Sequence, residues 1–392
     1  MYDRGVRARR SVLLASIFGL SIAGCDGLGP AQIYVPPGTT TSSTGGGSGS
    51  TSTAGSGGAS TGTASTGGLS PVLVAITATP ASDGDTPTEA AEIEADLATF
   101  GAGARAAIVT LPWSDVPEGS DDALAKRIAF YASHDKRVLV NLAVVDRLAD
   151  RRPPEVQGEP WNATSTLDAA HAALDTIFAA GGASIGFVTF GRDVDRWLAA
   201  HPGERAAFVA FAKEVCAYAK EHAPSPDLVV GVALSPDAPK SDPSFADLLD
   251  AGDVVAFSYL PGLGTYETDA ASGVAAAITA LADAAGSKPI VLQAAGAPTD
   301  GLAGGSEVAQ QTYFSTLFGA IGARRGSFVL VDVMELHDAP HAECAAWAVS
   351  QGEPADGPMA AYACSLGVWK TDGTPKPAWS AVIAGAAALS TP

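Results

Sequence analysis

The residues able to do chemistry gather where apolar runs of the chain break off. These runs end in Pro112-Trp113, Asp146-Arg147, Gly191-Arg192-Asp193, Ser235-Pro236-Asp237, Tyr259-Leu260-Pro261, Gln293-Ala294 and Glu335-Leu336-His337-Asp338. A carboxyl such as Asp193 or Glu335 can give or take a proton, and a cation beside it, such as Arg192, favours its ionised form. Trp113, Trp161 and Tyr259 have as their plainer reading the capping of a core, and also offer flat apolar faces on which a ligand ring can stack. Gln293 can orient a water or a hydroxyl. Glu335 and Asp338 have a plainer reading as partners in a rim salt bridge, and His337 as a rim hydrogen-bond donor. Other chemistries leave no fingerprint: there is no GxSxG, Walker loop, HExxH or dinucleotide glycine pattern after a strand. No cysteine spacing suits zinc, so neither a metal nor a cofactor is expected.

The elements that carry these residues alternate regularly. Apolar, β-branched runs occur at 72–77, 106–111, 138–145, 185–190, 228–234, 254–259, 289–292 and 328–333. They are continuous rather than alternating, as in strands covered on both faces. Helical periodicity fills the gaps at 89–100, 121–134, 165–180, 204–222, 245–249, 271–285, 308–321 and 377–388. Eight strands alternating with eight helices predict a (β/α)8 TIM barrel, with a doubly wound open sheet as the alternative. In a barrel the strand ends named above share one rim, where chemistry is built.

The first 70 residues stand outside that pattern. Arg4, Arg7, Arg9 and Arg10 precede an apolar run from Ser11 to Ala23, which ends in Gly24-Cys25. The order of basic segment, short apolar run, small residues and cysteine resembles a bacterial lipoprotein signal, which predicts a signal peptide over 1–24 and lipidation at Cys25. Residues 36–70 are nearly all Gly, Ser, Thr and Ala with no charge, a composition that cannot offset its ordering entropy. As a coil such a linker spans on the order of 30 Å. The expected plan is therefore a lipidated linker over 25–70 and one barrel domain over 71–392, held in the bacterial cell envelope outside the cytoplasm. The net charge of −19 disfavours nucleic acid and anionic lipid surfaces as partners, leaving the lipid as the only tie to a membrane. Cys216 lies in an apolar helical pattern and reads as core, while Cys344 and Cys364 flank one segment and can pair in an oxidising compartment.

Four segments, in consistent order over about residues 71–388, resemble clan-A glycoside hydrolases. IGFVTFGRDVDRWLAAHPGERAAFVAFAKEV is similar to the family's fourth strand and helix, where the strand ends Gly-Asn-Glu. DVVAFSYLPG is similar to the sixth strand. KPIVLQAAGAPTDGLAGGSEVAQQTYF is similar to the seventh, which usually ends in Glu and a Gly two residues later. SLGVWKTDGTPKPAW is similar to the segment after the barrel.

The resemblance implies an acid/base carboxyl at Asp193, an amide position occupied by Arg192, and a nucleophile position occupied by Ala294. Retaining hydrolysis needs two carboxyls about 5–5.5 Å apart, and a methyl group cannot form the covalent intermediate. Asp193 is shorter than Glu by one methylene, roughly 1.5 Å. The resemblance therefore implies a glycoside-hydrolase-like protein that has lost retaining chemistry and keeps a cleft for a polysaccharide or oligosaccharide. Arg192, Trp113, Trp161, Tyr259 and Gln293 are its candidate binding residues. One alternative is an active glycosidase using a displaced pair, Asp193 with Glu335, at the roughly 6.5–9.5 Å of inverting enzymes. The other is a scaffold whose rim binds protein.

Overall fold

The computed structural model describes residues 71–82, 87–116, 121–266 and 272–391. The signal segment, Cys25 and the linker lie outside the described residues. Eight parallel strands follow in chain order: β1 Leu73–Ile76, β2 Ala106–Pro112, β3 Arg137–Asp146, β4 Ile185–Arg192, β5 Val229–Leu234, β6 Val254–Tyr259, β7 Ile290–Ala295 and β8 Phe328–Val333. β1 pairs with β2 through Ala75 and Ala106, and with β8 from Leu73–Leu330 to Ile76–Val333. That double pairing closes the sheet, so the fold is a (β/α)8 barrel and not an open sheet.

Helices pack outside. They are α1 Glu89–Gly101, α2 Asp122–Ser133, α3 Thr164–Gly181, α4 Val194–Ala200, α5 Arg205–Glu221, α6 Ala238–Ser241 and α7 Phe245–Leu249. The second half adds α8 Val274–Ala285, α9 Glu307–Ala323, α10 His341–Ser350, α11 Pro358–Cys364 and α12 Ala378–Ser390. Side-chain caps start three of them: Thr88 accepts from Ala91 N, Asp121 from Leu124 N and Ser306 from Ala309 N. Each such cap contributes about 1 kcal/mol. Among the described residues no helix is long and apolar enough to cross a membrane.

The barrel interior is layered, because alternate residues of a strand face the same side. Leu139, Phe187, Val291 and Leu330 form an apolar lower layer with small partners such as Ala75 and Ala106. Two residues further along the same strands the layer turns polar: Thr77, Asn141, Thr189, Gln293 and Asp332. Asn141 Nδ2 donates to Thr189 Oγ1 at 2.9 Å and to Gly191 O at 2.8 Å. Thr189 Oγ1 donates to Gln293 Oε1 at 2.8 Å, and Thr77 Oγ1 to Asp332 Oδ2 at 2.8 Å. Buried polar groups persist when they are bonded in this way, and the layer forms the floor of the mouth.

Two helices absent from the sequence expectation, α10 and α11, follow β8 and lie over that mouth. Cys344 and Cys364 are joined in a disulfide with Cα atoms 5.4 Å apart. Closing a loop of this length stabilises by roughly 3 kcal/mol in the chain-entropy picture. Tyr362 Oη donates to Pro261 O at 2.9 Å, which fastens α11 to the loop after β6. Cys216 is buried in α5, and desolvation pushes its thiol up to about 12, the behaviour of a core residue.

Candidate binding cleft at the barrel mouth

Two neighbouring strand ends carry opposite charge orders. β3 ends in Asp146 and runs into Arg147, while β4 ends in Arg192 and runs into Asp193. Asp146 stands opposite Arg192 in the sheet register. The swap makes two crossed ion pairs. Arg147 Nη1 lies 3.0 Å from Asp193 Oδ2, and Arg192 Nη1 lies 3.9 Å from Asp146 Oδ1. Arg151 Nη2 holds the other Asp146 oxygen at 3.3 Å. Arg147 N also donates to Arg192 O at 2.9 Å, so the two strand ends are locked by backbone as well.

This geometry bends the backbone. Arg147 (φ 54°), Asp193 (φ 47°) and Glu335 (φ 70°) all adopt the left-handed conformation that costs most residues about a kcal/mol or more. All three stand just past strands β3, β4 and β8, at the mouth. Gly191 turns the chain with φ 75°, and a Cβ there would meet Val194 Cγ2 at 2.5 Å. Behind it, Asp195 accepts from Ser235 N at 2.7 Å and Ser235 Oγ at 2.5 Å, tying the start of α4 to the end of β5.

Between the strand ends and the α10–α11 cover lies a cleft. Its polar wall is Arg147, Arg192, Asp193 and Ser258, and Leu260, Leu263 and Met334 form its apolar side. Trp347, Tyr362, Ala363 and Leu366 close it from the cover side. The enclosed space is about 10 Å³, room for about one water and far less than a sugar ring.

The expected site residues divide on this geometry. Asp193 and Arg192 line the cleft. Ala294 belongs to an apolar cluster at the same mouth, with Ala303, Met334, Tyr362 and Leu366. An irregularity in β7 aims it there: Ser258 pairs with Ala294 where Phe257 pairs with Leu292, leaving Gln293 as the extra residue. Such bulges redirect side chains beside functional sites. Gln293 itself stays below, bonded to Thr189 in the interior floor.

The three aromatic candidates, Trp113, Trp161 and Tyr259, do not line the cleft; each is taken up by packing between barrel and helices, the core-capping role also open to them from the sequence. Trp113 stacks on Phe211 of α5 at 5.9 Å. Trp161 packs against Phe208 and Phe211, carries Arg152 on its face at 4.2 Å, and donates from Nε1 to Glu204 at 2.7 Å. Tyr259 turns outward to stack on Tyr313 of α9 at 6.0 Å, and its neighbour Ser258 faces the cleft instead.

Glu335 is 1% exposed and does not line the cleft. Neither of its carboxyl oxygens has a hydrogen-bond partner among the described residues. Burial pushes its carboxyl well above the usual range, and the Arg192 guanidinium draws it partly back. Asp332 in the floor is likewise pushed well up by burial, against its bond from Thr77. His337 donates from Nδ1 to Thr79 O at 2.7 Å, a structural bond at the rim. Asp338 pairs with Lys376 at 2.6 Å, and burial works against both charges, raising the acid and lowering the lysine. Among the described residues no group of three or more metal-ligand side chains stands together.

Ser258 and the α10–α11 cover escaped the sequence reading, and Arg147 was named there only as a strand end, with no role. The signal for Arg147 was present in the reversed Asp-Arg and Arg-Asp dipeptides, but only the strand register makes them neighbours.

No protein-family model matches the chain, and no curated protein sequence matches it. Solved structures do. The chain is similar to GH5_18 from Streptomyces cattleya in complex with GlcNAc, at 17% identity and a TM-score of 0.63, over 83% of this chain and 82% of that one. It is similar to a GH5_18 variant from Bifidobacterium longum in complex with Manβ1-4GlcNAc, at 15% identity and a TM-score of 0.59, over 81% and 78%. The exo-β-1,4-mannosidase Op5Man5 from Opitutaceae bacterium strain TAV5 matches at 15% identity and a TM-score of 0.61, over 82% and 60%. The likeness is one of fold. What this chain shares with those glycoside-hydrolase structures is the (β/α)8 barrel.

Proposed function

We propose that the chain is a glycan-binding (β/α)8 protein without retaining glycosidase chemistry, held at the bacterial cell envelope through a lipidated Cys25. The observation that carries the reading is the side chain at the end of β7. Ala294 contributes a methyl group to an apolar cluster at the mouth, where the resemblance calls for a nucleophilic carboxylate. The state of Asp193 supports it further. Its carboxylate is tied to the Arg147 guanidinium at 3.0 Å, so the side chain is engaged in an ion pair and not presented free to a ligand. The displaced pair is not favoured, since Glu335 is buried away from the cleft that Asp193 lines. Two of the fold neighbours hold sugars, and this fold-level analogy supports a sugar as the ligand class proposed for the mouth here. Entry of a ring requires the α10–α11 cover to shift, because the enclosed space admits about one water.

The test pairs a glycan-binding screen of the full chain with a panel of aryl glycosides. Binding without turnover is expected. Turnover above background that Asp193→Asn or Glu335→Gln removes would overturn the reading and restore the enzyme alternative.

A further inference from the structure

The α10–α11 cover is an excursion of the chain with a narrow neck. The chain leaves the barrel after β8 and returns at Val368, and the two ends are bonded to each other. Val368 N donates to Glu335 O at 3.2 Å, Trp369 N to Leu336 O at 2.7 Å, and Asp338 N to Trp369 O at 2.9 Å. Between these ends lie α10 and α11, stapled together by Cys344–Cys364, so that they can move as one body. On the far side the cover is held by the bond from Tyr362 Oη to Pro261 O, and by Ser365 Oγ, which accepts from Thr299 N and Asp300 N. The neck also reaches the cleft: Met334, the residue before Glu335, and Leu366, two before Val368, both line it.

Glu335 occupies this neck in a costly state. Its backbone is left-handed at φ 70°, its side chain is 1% exposed, and neither carboxyl oxygen has a hydrogen-bond partner among the described residues. A carboxylate stripped of water without new partners is far more costly to bury than a neutral carboxyl. The charged groups around it come from every side. Arg192 at the end of β4 favours ionisation, but it also faces Asp146. Glu343 on α10, Asp332 on β8 and Asp338 in the loop between them oppose it. Asp332 is bonded by Thr77 and Asp338 by Lys376, while Glu343 is half-buried on the cover itself. Burial outweighs the arginine, so the carboxyl is pushed well above its ordinary 4.5.

We propose that Glu335 is the latch of the cover: protonated it lies dry in the neck and the mouth stays closed, and on losing its proton to water it draws solvent into the neck and the cover swings away. The closed form binds this proton more tightly than the open form. Closure is therefore fully favoured at acid pH and is lost as pH rises above the ordinary carboxyl range, the open-to-closed ratio growing by up to about ten-fold per pH unit. As control of entry to the mouth this rests on the glycan-binding reading above, whereas the motion itself is measured without a ligand.

Hydroxyl-radical footprinting of the full chain, read by mass spectrometry, tests it. Met334 and Trp347 line the cleft under the cover, and the buried Trp161 serves as a reference away from it. From about pH 5 to about pH 8, oxidation of Met334 and Trp347 relative to Trp161 should rise at least about three-fold in the native chain. Glu335→Gln, neutral at every pH, should hold both at their acid level, and Glu343→Gln should keep the rise. A flat native profile would overturn the proposal without recourse to any variant. A rise that survives in Glu335→Gln would overturn it too, and so would equal oxidation of Trp161, which would mean loosening of the whole barrel. Each of these results leaves the glycan-binding reading standing, and a blank glycan screen leaves the latch standing.

Discussion

The pair Arg147–Asp193 decides whether the fourth-strand carboxyl is free for proton transfer, and its strength can be worked out. The charged atoms are 3.0 Å apart, and the two side chains are 17% and 8% exposed. At an effective dielectric of about 20 the attraction is about 5.5 kcal/mol. Desolvation of both groups offsets most of that, leaving about 1.5–3 kcal/mol for a bond between charged partners. Arg147→Leu strands a buried carboxylate and should cost about 3 kcal/mol, the low end for broken buried pairs because Arg147 keeps some contact with water. Asp193→Asn tolerates the left-handed backbone at φ 47° and should cost about 1–2 kcal/mol. The double variant should then show a coupling of about 1.5–3 kcal/mol in a urea-unfolding cycle at neutral pH. A coupling below about 0.5 kcal/mol would refute the reasoning, since Asp193 would then not be held by Arg147.

The remaining expectations concern pH, the Ala294 position and the proposed lipidation of Cys25. Burial raises Asp96 of α1 from its ordinary 3.8 to about 6, against the pull of Arg127 on α2. The folded state therefore binds this proton more tightly than the unfolded chain, and stability falls as pH rises from about 4 to about 6, by about 3 kcal/mol at about 1.4 kcal/mol per pH unit. Asp96→Asn should remove that part of the slope in thermal unfolding, and an unchanged slope would contradict the assignment. Ala294→Glu places a carboxyl in the apolar cluster under the cover and should destabilise by about 2–4 kcal/mol without creating turnover of aryl glycosides. Only the triple change Arg192→Asn, Asp193→Glu, Ala294→Glu restores the carboxyl pair that retention needs, so activity in the single variant would show that Asp193 still works as an acid. Cys25→Ser should release the chain from membranes on fractionation, and a variant that still sediments with them would remove the lipidation reading.

How far the molecule was legible follows from the physics of each part. The eight strands and eight helices were readable because a strand buried on both faces must be a continuous apolar run, and the helices between them repeat at their own period. Each expected strand overlaps an observed one. Side-chain direction was less legible, since a one-residue change of register reverses the face a residue presents. Tyr259 and Ser258 are adjacent in β6, and pairing alone sends the tyrosine out onto Tyr313 and the serine into the mouth. Trp113 and Trp161 went the same way, because a large ring near a strand end finds more contact under a helix than over a rim. The cover was harder still. α10 and α11 are short, and nothing local in their sequence states that they fold back over the strand ends. The two cysteines were the one long-range sign, and pairing them brings Trp347 and Tyr362 over the charged mouth. Within the site the chemistry depends on who faces whom. Asp-Arg after one strand and Arg-Asp after the next are unremarkable as dipeptides. Placed side by side by β3 and β4, they become two crossed ion pairs, one of which holds Asp193 against Arg147, and both guanidinium groups line the cleft.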